Sequence, residues 1–225
     1  MTVQSADVLT TVEPILARVL SLLEIDKVVV LIGGAQHSGK SWLARKLKEV
    51  LTLRGIPVKT LSNDMWLRGR NRPPIDETAT GMAAVMADFD VVNFEEEVLR
   101  LIEGETITPP VYDIKTRLHI KDKGDPLSFR EGVLIVDGGI ILGMDMLREA
   151  SSISIYVEVP DNIRLVRIFQ CKLWFKKMKL EEVLRAIDSD MKVESKAAKA
   201  LGEEFADIFY EPDPDKLPMV VICDH

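Results

Sequence analysis

One short segment constrains this chain more than any other. Residues 34–41 read GAQHSGKS and fit the pattern G-x-x-x-x-G-K-[ST] at every fixed position. The preceding residues, 27–32, are mostly β-branched, which predicts a short buried strand. The following residues, 42–51, carry leucine and valine at helical spacing, which predicts a helix. A strand, a glycine-rich loop and a helix in this order are typical of an α/β fold.

A loop of this kind has the chemistry of a phosphate site. Glycines let backbone N–H groups approach an anion, and the positive end of the helix dipole adds to the attraction. Lys40 would reach the β- and γ-phosphates of a nucleotide, and Ser41 would bind Mg²⁺. The alternative is a glycine-rich turn that fits the pattern by chance, and the flanking strand and helix argue against it.

Composition narrows the partners that this chain can have. Its 225 residues predict a single domain over 1–225, and its formal charge of −7 disfavours nucleic acid and anionic membranes as partners. Cys171 and Cys223 lie far apart without metal-ligand spacing, so we expect no disulfide framework and a cytoplasmic location. No segment reaches the ~18 apolar residues of a membrane helix.

Strand and helix patterns alternate along the chain. Residues 1–25 hold apolar side chains at helical spacing, which predicts an amphipathic helix leading into the first strand. Further strands are predicted at residues 58–61, 133–136, 153–159 and 220–223. Further helices are predicted at residues 93–103, with Asn93 as N-cap and Gly104 at the end, and at residues 162–187. This alternation predicts an open parallel sheet of the P-loop NTPase type, covered by helices on both faces, with ligands at the carboxyl ends of its strands.

Two aspartates follow predicted strands. Asp64 comes just after residues 58–61, where it could accept the proton of an attacking hydroxyl or hold a metal-bound water. It could equally be a turn residue beside Asn63. Asp137 ends the apolar strand and precedes Gly138, which favours a residue that orients Mg²⁺ over an Asx turn that closes the strand.

Two further segments carry a functional expectation. The stretch 164–179 contains six basic residues and no acid, namely Arg164, Arg167, Lys172, Lys176, Lys177 and Lys179. It predicts a lid over about 164–187 that closes on a triphosphate, and an ordinary solvated helix face is the alternative. Residues 65–90 lack a clear pattern and predict a long acceptor-side loop, because long loops in compact domains are usually functional or disordered.

With these residues in place, the chain resembles the uridine kinase and phosphoribulokinase family of P-loop kinases. The resemblance runs from about residue 28 to 210. Its landmarks are residues 33–41, 61–66, 88–90, 110–113, 133–138, 161–167 and 204–208. Residues 110–113 read Pro-x-Tyr-Asp, and residues 161–167 read Asp-x-x-Arg-Leu-x-Arg. In this order, the two segments are far more specific to the family than the phosphate loop.

The resemblance implies an ATP-dependent kinase that phosphorylates a hydroxyl of a small molecule, with uridine or cytidine as the first choice. It implies that Asp64 is the catalytic base and that Lys40 is a second catalytic residue. It also implies that Ser41 and Asp137 bind or orient Mg²⁺. It implies that Asp90 and Tyr112 face the acceptor. The residues expected at the ATP site are Gly34, Ala35, Gln36, His37, Ser38, Gly39, Lys40, Ser41, Arg164, Arg167 and Lys176. Uridine kinases often form oligomers, so a homo-oligomer is possible.

The chain also departs from the family. Uridine kinases usually carry a histidine and then an arginine after the Tyr-Asp step, whereas the order here is Arg117 and His119. Arg117 could favour an anionic acceptor. A sugar, a sugar phosphate, a glycerate-like acid or a pantothenate-like compound is therefore the alternative acceptor. The second alternative is a regulatory switch that binds ATP without any acceptor.

Overall fold

A six-stranded parallel sheet forms the centre of the computed structural model, and its strands lie in the spatial order Asp7–Leu9, Ile208–Tyr210, Ile153–Val157, Val28–Gly33, Val133–Gly138 and Val58–Ser62. The structure describes residues 7–69, 82–113, 118–120, 123–189 and 193–213. The strands are β1 (Asp7–Leu9), β2 (Val28–Gly33), β3 (Val58–Ser62), β4 (Thr106–Ile107), β5 (Val111–Asp113), β6 (Leu118–Ile120), β7 (Leu127–Ser128), β8 (Val133–Gly138), β9 (Ile153–Val157) and β10 (Ile208–Tyr210). The helices are α1 (Val12–Leu23), α2 (Lys40–Leu53), α3 (Met82–Met86), α4 (Val91–Ile102), α5 (Asp145–Ala150), α6 (Asp161–Gln170), α7 (Leu180–Ser189) and α8 (Ser195–Phe205).

Helices cover both faces of the sheet, as the sequence predicts. Val28, Val30 and Ile32 of β2 belong to the apolar cluster that α1 and α2 complete. Val29 and Leu31 belong to the cluster that α4, α5 and α8 complete. Because successive side chains of a strand point to opposite faces, a strand buried on both sides is apolar throughout, and all six residues of β2 are buried.

The strand register brings three chain segments to one edge of the sheet. Ile32 of β2 is paired with Asp137 of β8, and Asp137 is paired with Ser62 of β3. The segments that follow β2, β8 and β3 therefore leave the sheet at the same level. Two short antiparallel pairs, β4 with β7 and β5 with β6, lie outside the main sheet.

The N-terminal segment differs from the prediction. The apolar spacing of residues 1–25 predicts a helix that includes Val8, but Val8 lies in β1 and pairs with Phe209 of β10, and α1 begins at Val12. Pairing with a strand some 200 residues later decides the conformation here, and local periodicity does not report such a partner. The predicted strand 220–223 lies outside the described residues.

The predicted helix at 93–103 begins earlier than expected. Helix α4 starts at Val91 with Asp90 as N-cap, so Asn93 lies inside the helix. The backbone N–H of Asp90 donates to the carbonyl oxygen of Trp66 at 2.9 Å, and this contact with the preceding segment holds the residue in a non-helical conformation. Gly104, with φ of 94°, follows the last turn as predicted.

The predicted helix at 162–187 is interrupted. Helix α6 ends at Gln170, a π-helical turn follows over Cys171–Phe175, and α7 begins at Leu180. Cys171 is disulfide-bonded, which corrects the expectation for the cysteines. Within the predicted loop 65–90, the described residues include the end of a 3₁₀ turn over Asn63–Trp66 and helix α3, and residues 70–81 lie outside the described part. No helix within the described residues is both long and apolar enough to span a bilayer.

Candidate active site

Two glycines shape the loop between β2 and α2. Gly34 has a φ of 149°, and a Cβ atom there would lie 2.6 Å from the carbonyl oxygen of Val157 and 2.7 Å from Oγ of Ser38. Gly39 has a φ of 109° and is the N-cap of α2. Neither position accepts a larger residue without strain. The two fixed glycines of the sequence pattern thus have a direct structural reason.

The end of the loop carries groups that attract an anion. Helix α2 begins at Lys40, so the N–H groups of its first turn lack partners within the helix and face the loop. The Lys40 ammonium donates to the carbonyl oxygen of Ala35 at 2.9 Å, which folds this side chain back over the loop. An ammonium, a helix N-terminus and a glycine-rich backbone together fit a polyphosphate.

Ser41, in the first turn of α2, meets Asp137 at the end of β8. The Ser41 hydroxyl donates to a carboxylate oxygen of Asp137 at 2.9 Å. Burial raises the pKa of Asp137 to about 6 and the Asp64 carboxylate adds to the rise, whereas the Ser41 hydrogen bond and the Lys40 charge oppose it. A buried carboxylate whose charge is this poorly compensated fits a cation.

The donor set also indicates which cation would fit. No group of three or more histidine, cysteine, aspartate or glutamate side chains clusters as a metal cage within the described part of the chain. A hydroxyl and one carboxylate are hard oxygen ligands, and Mg²⁺ typically takes one or two such ligands while keeping waters and substrate phosphates. The Ser41–Asp137 pair therefore suits Mg²⁺ that arrives with a nucleotide.

Asp64 lies at the end of the next strand. It belongs to the 3₁₀ turn after β3, and its backbone N–H donates to Oγ of Ser62 at 3.4 Å. Strand β8 separates β3 from β2, so Asp64 approaches the loop from beyond Asp137. Because Ser62 of β3 is paired with Asp137, Asp64 follows the neighbouring strand end by two residues. Its charge contributes to the raised pKa of Asp137.

Two arginines of α6 reach the phosphate loop from the lid side. A guanidinium N–H of Arg164 donates to the carbonyl oxygen of Gln36 at 3.4 Å, and one of Arg167 donates to that of His37 at 3.2 Å. Both side chains are buried. Lys176, in contrast, is exposed at the end of the π-helical turn.

Cations surround the His37 imidazole. Burial lowers its pKa to about 3, and the charges of Lys40, Lys172, Lys176 and Arg164 lower it further. The imidazole is therefore neutral at physiological pH. Basic residues from the loop and from the predicted lid thus converge on one point.

The residues predicted for the acceptor side lie around the turn that carries Asp64. The Asp90 carboxylate accepts hydrogen bonds from Arg68 at 3.2 Å and from the Asn93 amide at 2.6 Å, and its side chain is 15% exposed. Tyr112 lies on β5, which packs beside the 3₁₀ turn. Arg117 lies outside the described residues.

Comparison with known proteins places this arrangement in a wider group. No protein-family model matches the chain. Curated bacterial proteins named uridine kinase match at 24–29% identity. One from Leuconostoc citreum is 27% identical over 139 residues, which cover 62% of this chain and 65% of that protein. This match thus spans slightly less than two thirds of the relative.

Solved structures share the fold at lower identity. A candidate fructose transport system kinase from Silicibacter superposes with a TM-score of 0.69 at 20% identity, over 89% of this chain and 99% of that one. D-glycerate 3-kinase from Cryptococcus neoformans has a TM-score of 0.64 at 13% identity, over 92% and 96% of the two chains. Phosphoribulokinase from Rhodobacter spheroides has a TM-score of 0.53 at 12% identity, over 88% and 75%.

The chain has the fold of the P-loop kinases, and its sequence resembles the uridine kinases.

Two residues near this candidate site were missed by the sequence analysis. Arg68 contacts Asp90 and also donates from Nε to the carbonyl oxygen of Phe89 at 2.7 Å, which joins the segment after Asp64 to the start of α4. Asn63 is buried, and both polar atoms of its amide lack a partner among the described residues. Nothing in the sequence pattern marks Asn63, whereas Arg68 lies in the segment that was singled out as irregular.

Proposed function

We propose that this protein is an ATP-dependent kinase that transfers the γ-phosphoryl group of MgATP to a hydroxyl of a nucleoside such as uridine or cytidine. The observation that carries the proposal is the meeting of Lys40, the Ser41–Asp137 pair and Asp64 at one edge of the sheet. The resemblance to uridine kinases supports the choice of acceptor.

The proposed chemistry is assigned to few residues. Lys40 and the loop would hold the β- and γ-phosphates, and Ser41 and Asp137 would hold Mg²⁺. Bound Mg²⁺ would neutralise the charge of the phosphates. Asp64 would accept the proton of the attacking hydroxyl, because it stands at the neighbouring strand end and is only half-buried.

ATP would contact the loop from Gly34 to Ser41, and Lys176 would approach it from the lid. Arg164 and Arg167 belong to the same site through their hydrogen bonds to the loop. The cations around His37 support a polyphosphate at this point, since their mutual repulsion falls when an anion binds.

Asp90 and Tyr112 would contact the acceptor. A carboxylate offers about four lone-pair positions, so the hydrogen bonds from Arg68 and Asn93 leave Asp90 able to accept from sugar hydroxyls. Arg117 is proposed as a third acceptor contact from its place in the sequence alone.

A sugar, a sugar phosphate, a glycerate-like acid or a pantothenate-like compound is the second candidate acceptor. The similarity in fold to proteins named as a fructose transport system kinase and a D-glycerate 3-kinase favours this alternative. It changes the acceptor and keeps the roles of the loop, Asp64 and Asp137.

The proposal is tested by coupled ADP release from MgATP with a panel of acceptors: uridine, cytidine, other nucleosides, pentoses, pentose phosphates, glycerate and pantothenate. Strong stimulation by uridine or cytidine is the expected result. Stimulation by a sugar or an acid alone would replace the nucleoside with the second candidate. Tight MgATP binding without stimulation by any acceptor would contradict the kinase proposal and favour an ATP-binding switch.

We further propose that residues 1–225 act as a single domain in the cytoplasm. The similarity to uridine kinases supports this location, whereas the disulfide of Cys171 counts against it, because disulfides are rare in reducing compartments. A homo-oligomer is part of the same proposal, since uridine kinases often assemble in this way.

A further inference from the structure

Two guanidinium groups are buried against the phosphate loop. The side chains of Arg164 and Arg167 are 1% and 4% exposed, and they lie one helical turn apart on α6. The Arg164 guanidinium is bonded to Asp161 at 3.1 Å and reaches the Gln36 carbonyl oxygen at 3.4 Å. Arg167 reaches the His37 carbonyl oxygen at 3.2 Å. Burying a cation is costly unless it is paired or hydrogen-bonded, and the loop carbonyls supply hydrogen bonds to both guanidinium groups.

The acceptors of these hydrogen bonds indicate the role of the arginines. The loop peptide bonds are trans, so the carbonyl and the N–H of each peptide unit point in opposite directions. A donor that holds the Gln36 carbonyl therefore turns the His37 N–H the other way. The Ser38 N–H, opposite the His37 carbonyl, donates to the Ala35 carbonyl oxygen within the loop at 3.2 Å. Phosphate is bound in such loops by the N–H groups. The arginines thus contact the loop on its carbonyl side.

The loop needs such a restraint at His37. This residue has a φ of 60°, and only a few per cent of residues other than glycine adopt the left-handed region, with asparagine, aspartate and histidine the commonest among them. A side chain in this conformation persists only where its surroundings hold it. The bond from Arg167 to the His37 carbonyl is a contact of that kind.

We propose that Arg167, assisted by Arg164, is a positioning residue. The two arginines hold the His37 and Gln36 carbonyls, which fixes the backbone of the phosphate loop and turns the His37 N–H towards a bound phosphate. The inference rests on the proposed function, because it assumes that the loop binds a nucleotide. It assigns the arginines to the loop and leaves direct contact with the triphosphate to the lysines of the lid. Any movement of the proposed lid would then begin after α6, from Cys171 onwards, because the arginines anchor α6 to the loop.

The test compares Arg167→Met and Arg167→Lys with Arg18→Met, which removes an exposed arginine from α1. The first readout is hydrogen–deuterium exchange of the peptide that covers residues 34–41, without nucleotide. The second is the dissociation constant of MgATP and of MgADP. Arg167→Met is expected to raise loop exchange and to weaken both nucleotides by a similar factor, on the order of tenfold. Arg167→Lys should recover part of both effects, and Arg18→Met should match the wild type.

A second background separates positioning from direct contact with phosphate. In His37→Gly, the loop adopts a positive φ without strain, so Arg167→Met should cost less nucleotide affinity than it does in the wild-type background. Unchanged loop exchange in Arg167→Met would overturn the proposal. So would weakening of MgATP alone, or an equal loss of affinity in both backgrounds. If the wild type binds neither nucleotide, the proposed function fails, whereas the exchange measurement still decides whether Arg167 restrains the loop.

Discussion

The two carboxylates at the carboxyl edge of the sheet lie in different surroundings. Asp137 is buried beside Ser41, and its pKa is raised to about 6. Asp64 is half-buried on a turn at the next strand end. The difference supports separate roles. A buried carboxylate next to a hydroxyl is suited to binding a cation, and a more accessible carboxylate is suited to act as a general base, because it can release the accepted proton to solvent.

Replacing Asp64 with asparagine should separate binding from turnover. The amide keeps the shape of the side chain and cannot accept the hydroxyl proton, so kcat should fall by ~10²–10⁴ while the MgATP dissociation constant stays nearly unchanged. Acceptor-stimulated ADP release and isothermal titration with MgATP measure the two quantities. Asp26→Asn, at an exposed site after α1, is the matched control. Full turnover in Asp64→Asn would refute the role of catalytic base.

His37 should make folding stability depend on pH. Burial keeps its pKa near 3, well below the ordinary 6.5, so the unfolded chain binds a proton below about pH 6.5 that the folded side chain does not take. The free energy of unfolding must therefore fall as the pH drops from 6.5 towards 3. At pH 5 the wild type should have lost about 2 kcal/mol relative to His37→Asn, whose side chain does not titrate and tolerates a positive φ.

Urea unfolding of both proteins at pH 5, 6 and 7.5 measures this difference. Comparison with the variant removes the contribution of Asp137, which both proteins share. Parallel pH profiles would show that His37 takes up its proton normally in the folded state and would contradict its burial among cations.

At the scale of elements, the interrupted helix between Arg164 and Ser189 is the main departure from the sequence pattern. The apolar spacing continues through residues 171–175, which form a π-helical turn, and no proline or glycine marks the break. A π-helical turn contains one residue more than an α-helical turn, and no particular residue type is needed to form it. Such turns often occur at functional sites. Local spacing could therefore predict the helices and not their interruption.

Trp174 offers a signal for movement of this segment. It lies in the π-helical turn and is 62% exposed. If the lid closes over a triphosphate, the surroundings of this indole change, so MgATP should shift its fluorescence emission. The measurement is made in Trp42→Phe, because Trp42 adjoins Ser41 and would respond by itself. The shift should disappear in Trp42→Phe/Trp174→Phe, and its persistence there would show that Trp174 does not report a lid movement.

Helix α8 approaches the sheet through a glycine. A Cβ atom at Gly202 would lie 2.4 Å from Cγ of Tyr156 on β9. In an open helix, alanine in place of glycine would stabilise by roughly 1 kcal/mol. Here the ring blocks it, so Gly202→Ala should lower the free energy of unfolding by about 1–3 kcal/mol. Urea unfolding tests this, with Ala200→Gly at an exposed position of α8 as the helix-propensity control. Increased stability of Gly202→Ala would contradict the close packing.

The elements that could be predicted from the sequence are those whose signal is local. Strand β2, the loop and α2 lie within a few residues of their predicted bounds, because glycine positions and apolar spacing fix them. Strand β1 was missed because its partner, β10, lies far along the chain. The start of α4 was missed because the N-cap Asp90 is held by Trp66, a contact that no local pattern reports.

At the scale of the whole molecule, the site depends on strand order. The sequence predicts which residues end strands, and the parallel sheet predicts that those ends share an edge. It does not predict that β8 lies between β2 and β3, which puts Asp137 beside Ser41 and Asp64 beyond it. Long-range packing decides that order, as it decides which carbonyls of the loop the arginines of α6 reach.

The central claim is that a phosphoryl group moves from ATP to an acceptor hydroxyl. Phosphorus NMR of the protein with MgATP and the best acceptor of the panel tests it most directly, because it identifies the phosphorylated product. The account predicts a phosphate monoester of the acceptor that grows in step with ADP and is absent when Asp64→Asn replaces the wild type. Release of inorganic phosphate without a monoester, or MgATP that binds and stays intact with every acceptor, would contradict it.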